Sequence, residues 1–165
     1  MKKKRPKSKA LVWSTIVTAL VIVSAAALYM YFSVIKPQED LKTQVENNPP
    51  VGVTAELGAM IRDSHEQYNL LTGFGNIDQL DQDKAITLSK VVYKETGEAL
   101  EDGIADKQLE KDMKAIRQLA RESSVNPDKE KVRMVHRYFH DLDIAVNRYE
   151  ETNTIFGVTE TLGKP

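Results

Sequence analysis

Two histidines and an aspartate lie at helical spacing near the C-terminal end of this 165-residue chain. His136, His140 and Asp143 are four and three residues apart, so a helix places them along one line, which Asn147 extends. Two imidazoles and a carboxylate form a ligand set that zinc or another divalent metal accepts. The pattern lacks the glutamate of His-Glu-x-x-His, which supplies a general base. One hypothesis is therefore a metal site at these three residues.

A packing role is the alternative, and the sequence favours it. The line of His136 and His140 runs beside an apolar seam, which amphipathic side chains commonly flank. His65 is the only other histidine, and it shares a helical face with Ile61 and Tyr68. His65 could supply a third imidazole to the candidate metal site only if its helix packs beside that of His136. The sequence thus requires no cofactor and keeps a divalent metal as the alternative.

Two acidic clusters are candidates for calcium binding. The stretch 76–83 contains Asp78, Asp81 and Asp83, but it lacks the central glycine and the final glutamate of an EF-hand, and Leu80 stands where that loop requires oxygen. The second cluster surrounds a predicted helix–helix turn and consists of Glu98, Glu101, Asp102 and Asp106. Helix capping and ordinary solvation explain both clusters, so neither is expected to bind an ion.

Other catalytic patterns are weak or missing. The chain has no cysteine, which excludes thiolate nucleophiles, disulfides, Cys-based metal sites and a lipoprotein anchor. Gly73-Phe74-Gly75 is too short for a phosphate-binding loop, and no Gly-Lys-Ser follows it. Paired carboxylates need only proximity in space, so a hydrolase of that kind stays open.

The elements that must position these residues are predicted to be helices. Apolar residues recur every three or four positions over 54–71, over about 81–100 and over 106–123. Thr54 is a candidate N-cap, and Asp78 or Asp81 can cap the next helix. Asn126-Pro127 opens the clearest helix with a cap and a first-turn proline. Its apolar seam is Val132, Val135, Phe139, Leu142, Val146 and Tyr149.

The predicted fold class is all-α, with one N-terminal transmembrane helix followed by a small extracytoplasmic bundle of about four helices. We expect a basic cytoplasmic tip at 1–10, the transmembrane helix at 11–35, a stalk at 36–52 and the helical domain at 53–165. The stretch Asn47-Asn48-Pro49-Pro50 is predicted to stop the helix of the stalk.

Residues 11–35 contain no charged side chain. As a helix they span about 37 Å, enough to cross a hydrocarbon core of about 30 Å with some tilt. Trp13 lies near one end, and Tyr29, Tyr31 and Phe32 lie near the other. Six of the 23 basic residues precede this segment, so we expect its N-terminal side in the cytoplasm and the domain outside.

A cleaved signal peptide is the competing interpretation. Ser24-Ala25-Ala26-Ala27 offers small residues at the spacing of a peptidase site. The apolar run, however, continues from Leu28 to Ile35, whereas cleavage normally follows the end of such a run. The sequence therefore favours an uncleaved signal-anchor in the cell membrane.

Charge is divided between the two sides. All 24 acidic residues lie beyond position 36, and the segment from Lys36 onward has a formal net charge of −7. Such a domain is repelled by phosphate backbones, so no nucleic-acid binding is expected. One helix carries a basic strip that we regard as a solvated face or a docking surface for an acidic partner. The basic strip consists of Lys107, Lys111, Lys114, Arg117 and Arg121.

A short pattern occurs twice, as GVT-x-x-LG at 52–58 and at 157–163. Similar turns that meet in space would explain it, but the chance recurrence of common turn and cap residues is the favoured explanation.

Residues 135–147 (VHRYFHDLDIAVN) and 156–159 (FGVT) resemble the C-terminal region of small single-pass membrane proteins of unknown function in Bacillus-type bacteria. The resemblance covers the last third of the chain and the order of anchor and domain. It implies a Gram-positive cell surface and no particular activity.

The leading functional hypothesis is a non-catalytic, membrane-anchored interaction module outside the cytoplasm. It would contact the bilayer through 11–35 and would bind a membrane or cell-wall protein. The alternative is a metal-binding site or metal-dependent enzyme built on His136, His140 and Asp143.

Overall fold

The computed structural model describes residues 9–149 and 154–163. Most of the predicted basic tip lies outside these residues. Within them every regular element is helical and no strand occurs. The all-α prediction is therefore confirmed for the part of the chain that the structure describes.

The helices follow in chain order as α1 Lys9–Met30, α2 Lys36–Asn47, α3 Ala55–Thr72, α4 Gln82–Asp102, α5 Lys107–Ser123 and α6 Lys129–Asn147. A π-helical turn at Tyr31–Ile35 precedes α2, and a 3₁₀ segment at Gly73–Gln79 follows α3. The chain divides into two compact units, Met1–Glu39 and Asp40–Pro165.

The first unit is an apolar helix with an exposed surface. A helical stretch at Val12–Asn47 is long and apolar enough to cross a membrane, and none of its most apolar part is buried by protein. Trp13 is 66% exposed and Phe32 is 60% exposed. Near its N-terminal end the chain thus carries one helix with the dimensions of a membrane span.

Side-chain caps begin the helices of the second unit where the sequence predicts them. The Thr54 hydroxyl accepts from the Leu57 amide at 3.1 Å, and Asp81 caps α4 in the same way. Asp106 accepts from two amides at the start of α5. The start of α6 differs from the prediction, because Asp128 rather than Asn126 is its cap. A carboxylate at this position also meets the positive end of the helix dipole.

One hydrophobic core is formed by α3, α4, α5 and α6, with α3 against α6 and α4 against α5. Its completely buried members include Ile61, Tyr68, Val92, Leu109, Met113, Ile116, Val132, Val135, Phe139 and Leu142. The predicted seam of α6 is therefore buried from Val132 to Leu142. The helix ends at Asn147, because Arg148 adopts a left-handed conformation with φ 59°.

Gly97 lies inside α4, where the sequence indicates a weak point. The helix continues through it, and the Arg117 side chain of α5 packs directly on it. A Cβ atom at residue 97 would lie 3.0 Å from Arg117 Nη2. The guanidinium also lies over the Tyr93 ring, 4.9 Å from its centroid. This glycine therefore permits close contact between α4 and α5.

Part of the predicted stalk belongs to the second unit. Val45 of α2 is buried with Ile144 and Ala145 of α6 and with Ile155 and Leu162 of the C-terminal segment. Leu41 packs against the same cluster. Residues 40–47 thus contribute to the folded domain.

The C-terminal segment 154–163 has no helix, and buried carboxylates hold its backbone. Asp141 of α6 accepts hydrogen bonds from the amides of Phe156 at 2.9 Å and Val158 at 3.1 Å. Asp112 of α5 accepts from the amides of Glu160 and Thr161, both at 2.9 Å. Two aspartates on different helices therefore replace the regular backbone partners that this segment lacks.

The repeated GVT-x-x-LG pattern forms the same local turn twice. Gly52 and Gly157 have positive φ angles of 71° and 66°. The hydroxyl of Thr159 accepts from the Leu162 amide, just as that of Thr54 accepts from Leu57. Only the first turn leads into a long helix. The recurrence is thus explained by local turn and cap chemistry.

We expect Asp141→Ala and Asp112→Ala each to lower the free energy of unfolding by about 3 kcal/mol, because each leaves two amides without a charged acceptor. Urea unfolding of the full-length protein in detergent micelles, followed by circular dichroism, measures this. Asp102→Ala, at an exposed aspartate, is the control and should change stability by less than about 0.5 kcal/mol. Equal midpoints for Asp141→Ala and Asp102→Ala would contradict the structural role of Asp141.

Candidate functional site

All three histidines of the chain meet between α3 and α6. His65 of α3 has its ring centroid 5.6 Å from that of His136 and 5.1 Å from that of His140. The centroids of His136 and His140 are 6.2 Å apart. We call these three residues the histidine cluster. The two imidazoles predicted to share a face of α6 do so, and the packing of α3 on α6 adds the third.

Asp143 contacts His65 instead of the α6 histidines. Its Oδ2 lies 2.8 Å from His65 Nδ1, and both side chains are almost completely buried. Its Oδ1 accepts a hydrogen bond of 2.7 Å from the Asn147 amide group, which also donates to the Gly58 carbonyl at 2.9 Å. A carboxylate only accepts, so His65 Nδ1 carries the proton of this pair. The unprotonated nitrogen of a neutral His65 is therefore Nε2.

Two imidazole nitrogens of the histidine cluster have no hydrogen-bond partner among the residues that the structure describes. They are Nε2 of His136 and Nδ1 of His140, and both atoms are buried. Asp141 Oδ1 lies 3.5 Å from His140 Nδ1, close enough for an ion pair, but the hydrogen-bond geometry is absent. The His140 nitrogen therefore has an electrostatic contact with Asp141 but no hydrogen bond to it. Buried polar atoms without partners are uncommon and require an explanation.

Aromatic rings cover the histidine cluster. The Tyr149 ring is edge-on to His65, with the centroids 4.8 Å apart. Phe156 contacts His140, with a centroid distance of 4.7 Å, and the Arg137 guanidinium lies over the Phe156 ring, 5.3 Å from its centroid. His140 is consequently only 5% exposed. The cover comes from residues beyond the end of α6, whose positions depend on Asp141 and on the turn at Arg148.

The environment of His136 favours its neutral form. Burial, together with the charges of His65, His140 and Arg137, lowers the pKa of His136 from 6.5 to about 4. The ring is thus uncharged at neutral pH, with a lone pair on one nitrogen.

The metal hypothesis of the sequence stays a prediction, but its residues are placed differently from what the spacing suggests. Both oxygens of Asp143 are engaged by His65 and Asn147, away from His136. As the rings stand, no group of three His, Asp or Glu side chains among the described residues has a metal-binding arrangement. The sequence could not show the contact of His65 with α6, since it joins residues 78 positions apart.

The acidic clusters supply caps. Asp81 caps α4, the Asp78 carbonyl accepts from Lys129 Nζ at 2.8 Å, and Ile77 between them is buried. In the second cluster Asp106 caps α5 and accepts from the Val51 amide at 3.3 Å. These contacts agree with the capping interpretation of the sequence.

A groove of about 1050 Å³ lies between the end of α3, the 3₁₀ segment and the start of α4. Leu70, Leu71, Leu88 and Val91 give it apolar walls. Leu70 is 71% exposed and Val91 is 45% exposed. Polar side chains surround these residues, namely Gln67, Asn76, Gln79, Asp81, Asp83, Lys84 and Thr87. We call this surface the α3–α4 groove.

The basic strip on α5 is largely neutralised by its own neighbours. Lys107 and Lys114 both bind Glu110, at 2.8 and 2.6 Å, and they lower the pKa of that carboxyl to about 2. Lys111 binds Glu160 at 2.9 Å. The contacts of Lys107, Lys111 and Lys114 therefore favour the solvated-face interpretation over a docking surface.

Comparisons of the chain with protein-family models, with curated proteins and with solved structures gave no match.

The depressed pKa of His136 predicts a loss of stability on acidification. The unfolded chain takes up a proton below pH 6.5 that the native chain accepts only near pH 4. Stability from this group is thus complete above about pH 6.5 and is lost as pH falls toward about 4. We expect His136→Gln to reduce the stability difference between pH 7.5 and pH 5 by about 1 kcal/mol, allowing for partial solvent access. Urea titrations of both proteins in micelles measure it; identical pH dependence would contradict it.

Proposed function

We propose that this protein is a single-pass membrane protein whose helical domain lies outside the cytoplasm and binds a partner protein at the membrane surface. The observation that carries the proposal is the helical stretch at Val12–Asn47, whose most apolar part is not buried by any described part of the protein. Exposing such a surface to water costs about 25 cal/mol per Å², whereas lipid tails accommodate it and the helix satisfies its own backbone.

Retention of the anchor is supported by the residues after the candidate cleavage site. Removal near Ala27 would leave Leu28, Tyr29 and Phe32 on the mature protein, and these side chains are 59%, 75% and 60% exposed. A secreted product would present this apolar patch to water, where such patches promote association. An uncleaved anchor leaves them in the bilayer or at its interface.

The orientation follows from charge. Six basic residues precede the apolar segment, and the acidic side chains all come after it. Cytoplasmic flanks of membrane helices are enriched in lysine and arginine, so the N-terminal tip lies inside and the domain outside. The resemblance of residues 135–147 and 156–159 to small single-pass proteins of Bacillus-type bacteria supports a Gram-positive cell surface as the setting.

The α3–α4 groove is the surface through which we expect binding. Leu70 and Val91 are side chains that a partner would bury, and an apolar cleft of this kind accepts the apolar face of an amphipathic segment. Its rim carries Asp81 and Asp83 against Lys84, which is already 3.2 Å from Asp81. The expected partner is therefore a membrane or wall protein with apolar anchors flanked by basic residues.

The alternative function, a metal site or metal-dependent enzyme, draws on a separate observation, the histidine cluster. It does not compete with the groove, because the two surfaces share no residue.

Cysteine labelling tests the topology, since the native chain has no cysteine. Val125→Cys introduces a thiol at a position of the domain that is 81% exposed, and Lys7→Cys introduces one in the tip. A membrane-impermeant maleimide should label Val125→Cys but not Lys7→Cys on intact cells, and both after lysis. The reverse pattern would overturn the orientation, and labelled Val125→Cys protein in the medium would show release.

Site-specific photocrosslinking in intact cells tests the groove. A benzophenone amino acid at Leu70 should give one discrete adduct with a membrane or wall protein. The same probe at Val51, which is 69% exposed outside the groove, is the matched control and should give none. Asp83→Lys should weaken the Leu70 adduct, because it reverses a rim charge and leaves the Asp81 cap of α4 in place. The binding proposal fails if Leu70 gives no adduct, or if both positions give the same adducts.

A further inference from the structure

We infer that His65, His136 and His140 together bind a divalent transition-metal ion of the zinc type. The inference is independent of the proposed function, because it uses none of the residues of the groove or of the membrane segment.

The backbone already brings the three rings to the right separation. A zinc ion lies about 2.0–2.1 Å from each coordinating nitrogen, so the ring centres of two histidines on one tetrahedral ion are about 5 Å apart. The observed separations are 5.1, 5.6 and 6.2 Å. The ring separations therefore already match those of a bound ion, and the adjustment that binding requires is a change of ring orientation.

Asp143 lies where a carboxylate would accept a hydrogen bond from a metal-binding histidine. Histidine ligands of zinc almost always donate their other ring N–H to a carboxylate or a carbonyl, which fixes the ring and increases its basicity. The 2.8 Å contact between Asp143 Oδ2 and His65 Nδ1 is of this type. It leaves Nε2 of His65 for the ion. The bond from Asn147 to Asp143 then holds the carboxylate in place.

The unpartnered nitrogens are the independent sign of a ligand. His140 is only 5% exposed, and its Nδ1 has no hydrogen-bond partner among the described residues. The buried Nε2 of His136 likewise has none there. A buried polar atom without a partner is destabilising. A neutral imidazole has a lone pair on one nitrogen, so with the proton on the other nitrogen of each ring, coordination of one ion would satisfy both atoms at once.

Two rings must turn before all three nitrogens converge. His65 and His136 are nearly parallel, with 25° between their planes, whereas ligands of one ion point at a common centre. Because His65 is fixed by Asp143, the movement falls to His136 and His140. His136 is partly exposed, unlike His65 and His140, so it is the ring of the cluster nearest to solvent.

The donor set selects the class of metal. Neutral imidazoles suit zinc, copper and nickel ions, whereas calcium and magnesium require oxygen ligands. Three histidines leave the fourth position of a tetrahedral ion for water or for a ligand from outside. The site thus differs from the set predicted by spacing alone, since His65 replaces Asp143 as a ligand and Asp143 becomes its positioning residue.

Metal titration of the full-length protein in detergent micelles tests the inference. The protein must carry no polyhistidine tag, and zinc is the probe, offered in a chelator-buffered solution at about neutral pH. We expect elemental analysis to give one zinc ion per chain. Cobalt should give the intense visible absorption of a tetrahedral ion, which zinc then displaces. A wild-type protein that binds neither metal under these conditions overturns the inference, whatever the variants do.

Variants separate the cluster from the acidic surface. His65→Ala, His136→Ala and His140→Ala should each abolish the cobalt absorption, while circular dichroism checks that the helices remain. Asp143→Asn should weaken zinc affinity by about 10–100-fold and keep the stoichiometry, as expected for a positioning residue. Asp102→Ala should bind as the wild type does. Undiminished binding by the variant lacking all three histidines would assign the ion to surface carboxylates and overturn the inference.

Discussion

The constraint on which this domain depends is that a C-terminal segment without helix or strand must find acceptors for its backbone amides. Asp141 and Asp112 provide them from α6 and α5, each accepting two amides of the segment. Burial raises the pKa of Asp112, and hydrogen bonds from Thr161 and from the backbone partly offset that effect. Burial of these carboxylates is destabilising because it removes them from water. Their hydrogen bonds in turn hold the ten residues 154–163 against the helices. No disulfide is available to do this, since the chain has no cysteine.

The same constraint shapes the histidine cluster. The fixed segment carries Phe156 onto His140, and α6 presents Asp141 toward the segment and Asp143 toward His65. Asp141 and Asp143 are only two residues apart, yet they bind different neighbours. Asp141 binds backbone amides of the C-terminal segment, and Asp143 binds the His65 ring. Phe156 thus contributes to the burial of His140.

Local signals in the sequence predicted much of the fold. The caps at Thr54, Asp81 and Asp106 and the buried seam from Val132 to Leu142 follow from side-chain chemistry and from a period of three to four residues. Asp128 displaced Asn126 as the cap of α6 because two acceptors competed within one turn. The helical period also predicted that His136 and His140 share one face of α6. The contact of His65 with Asp143 was not predicted, because periodicity says which face a residue occupies but not which helix covers that face. Nor did any local signal show that Asp112 and Asp141 would hold the last segment.

The contact of Gly97 with Arg117 has a consequence for engineering this domain. Alanine is favoured over glycine inside a helix by about 1 kcal/mol, so position 97 is one that a stabilisation scheme based on propensity would change first. Its new methyl group would lie 3.0 Å from Arg117 Nη2, so the guanidinium over the Tyr93 ring would have to shift by a few tenths of an ångström. A weakened cation–π contact would then offset part of the gain in helix propensity. The benefit of alanine at position 97 therefore depends on how freely the Arg117 side chain of α5 can move.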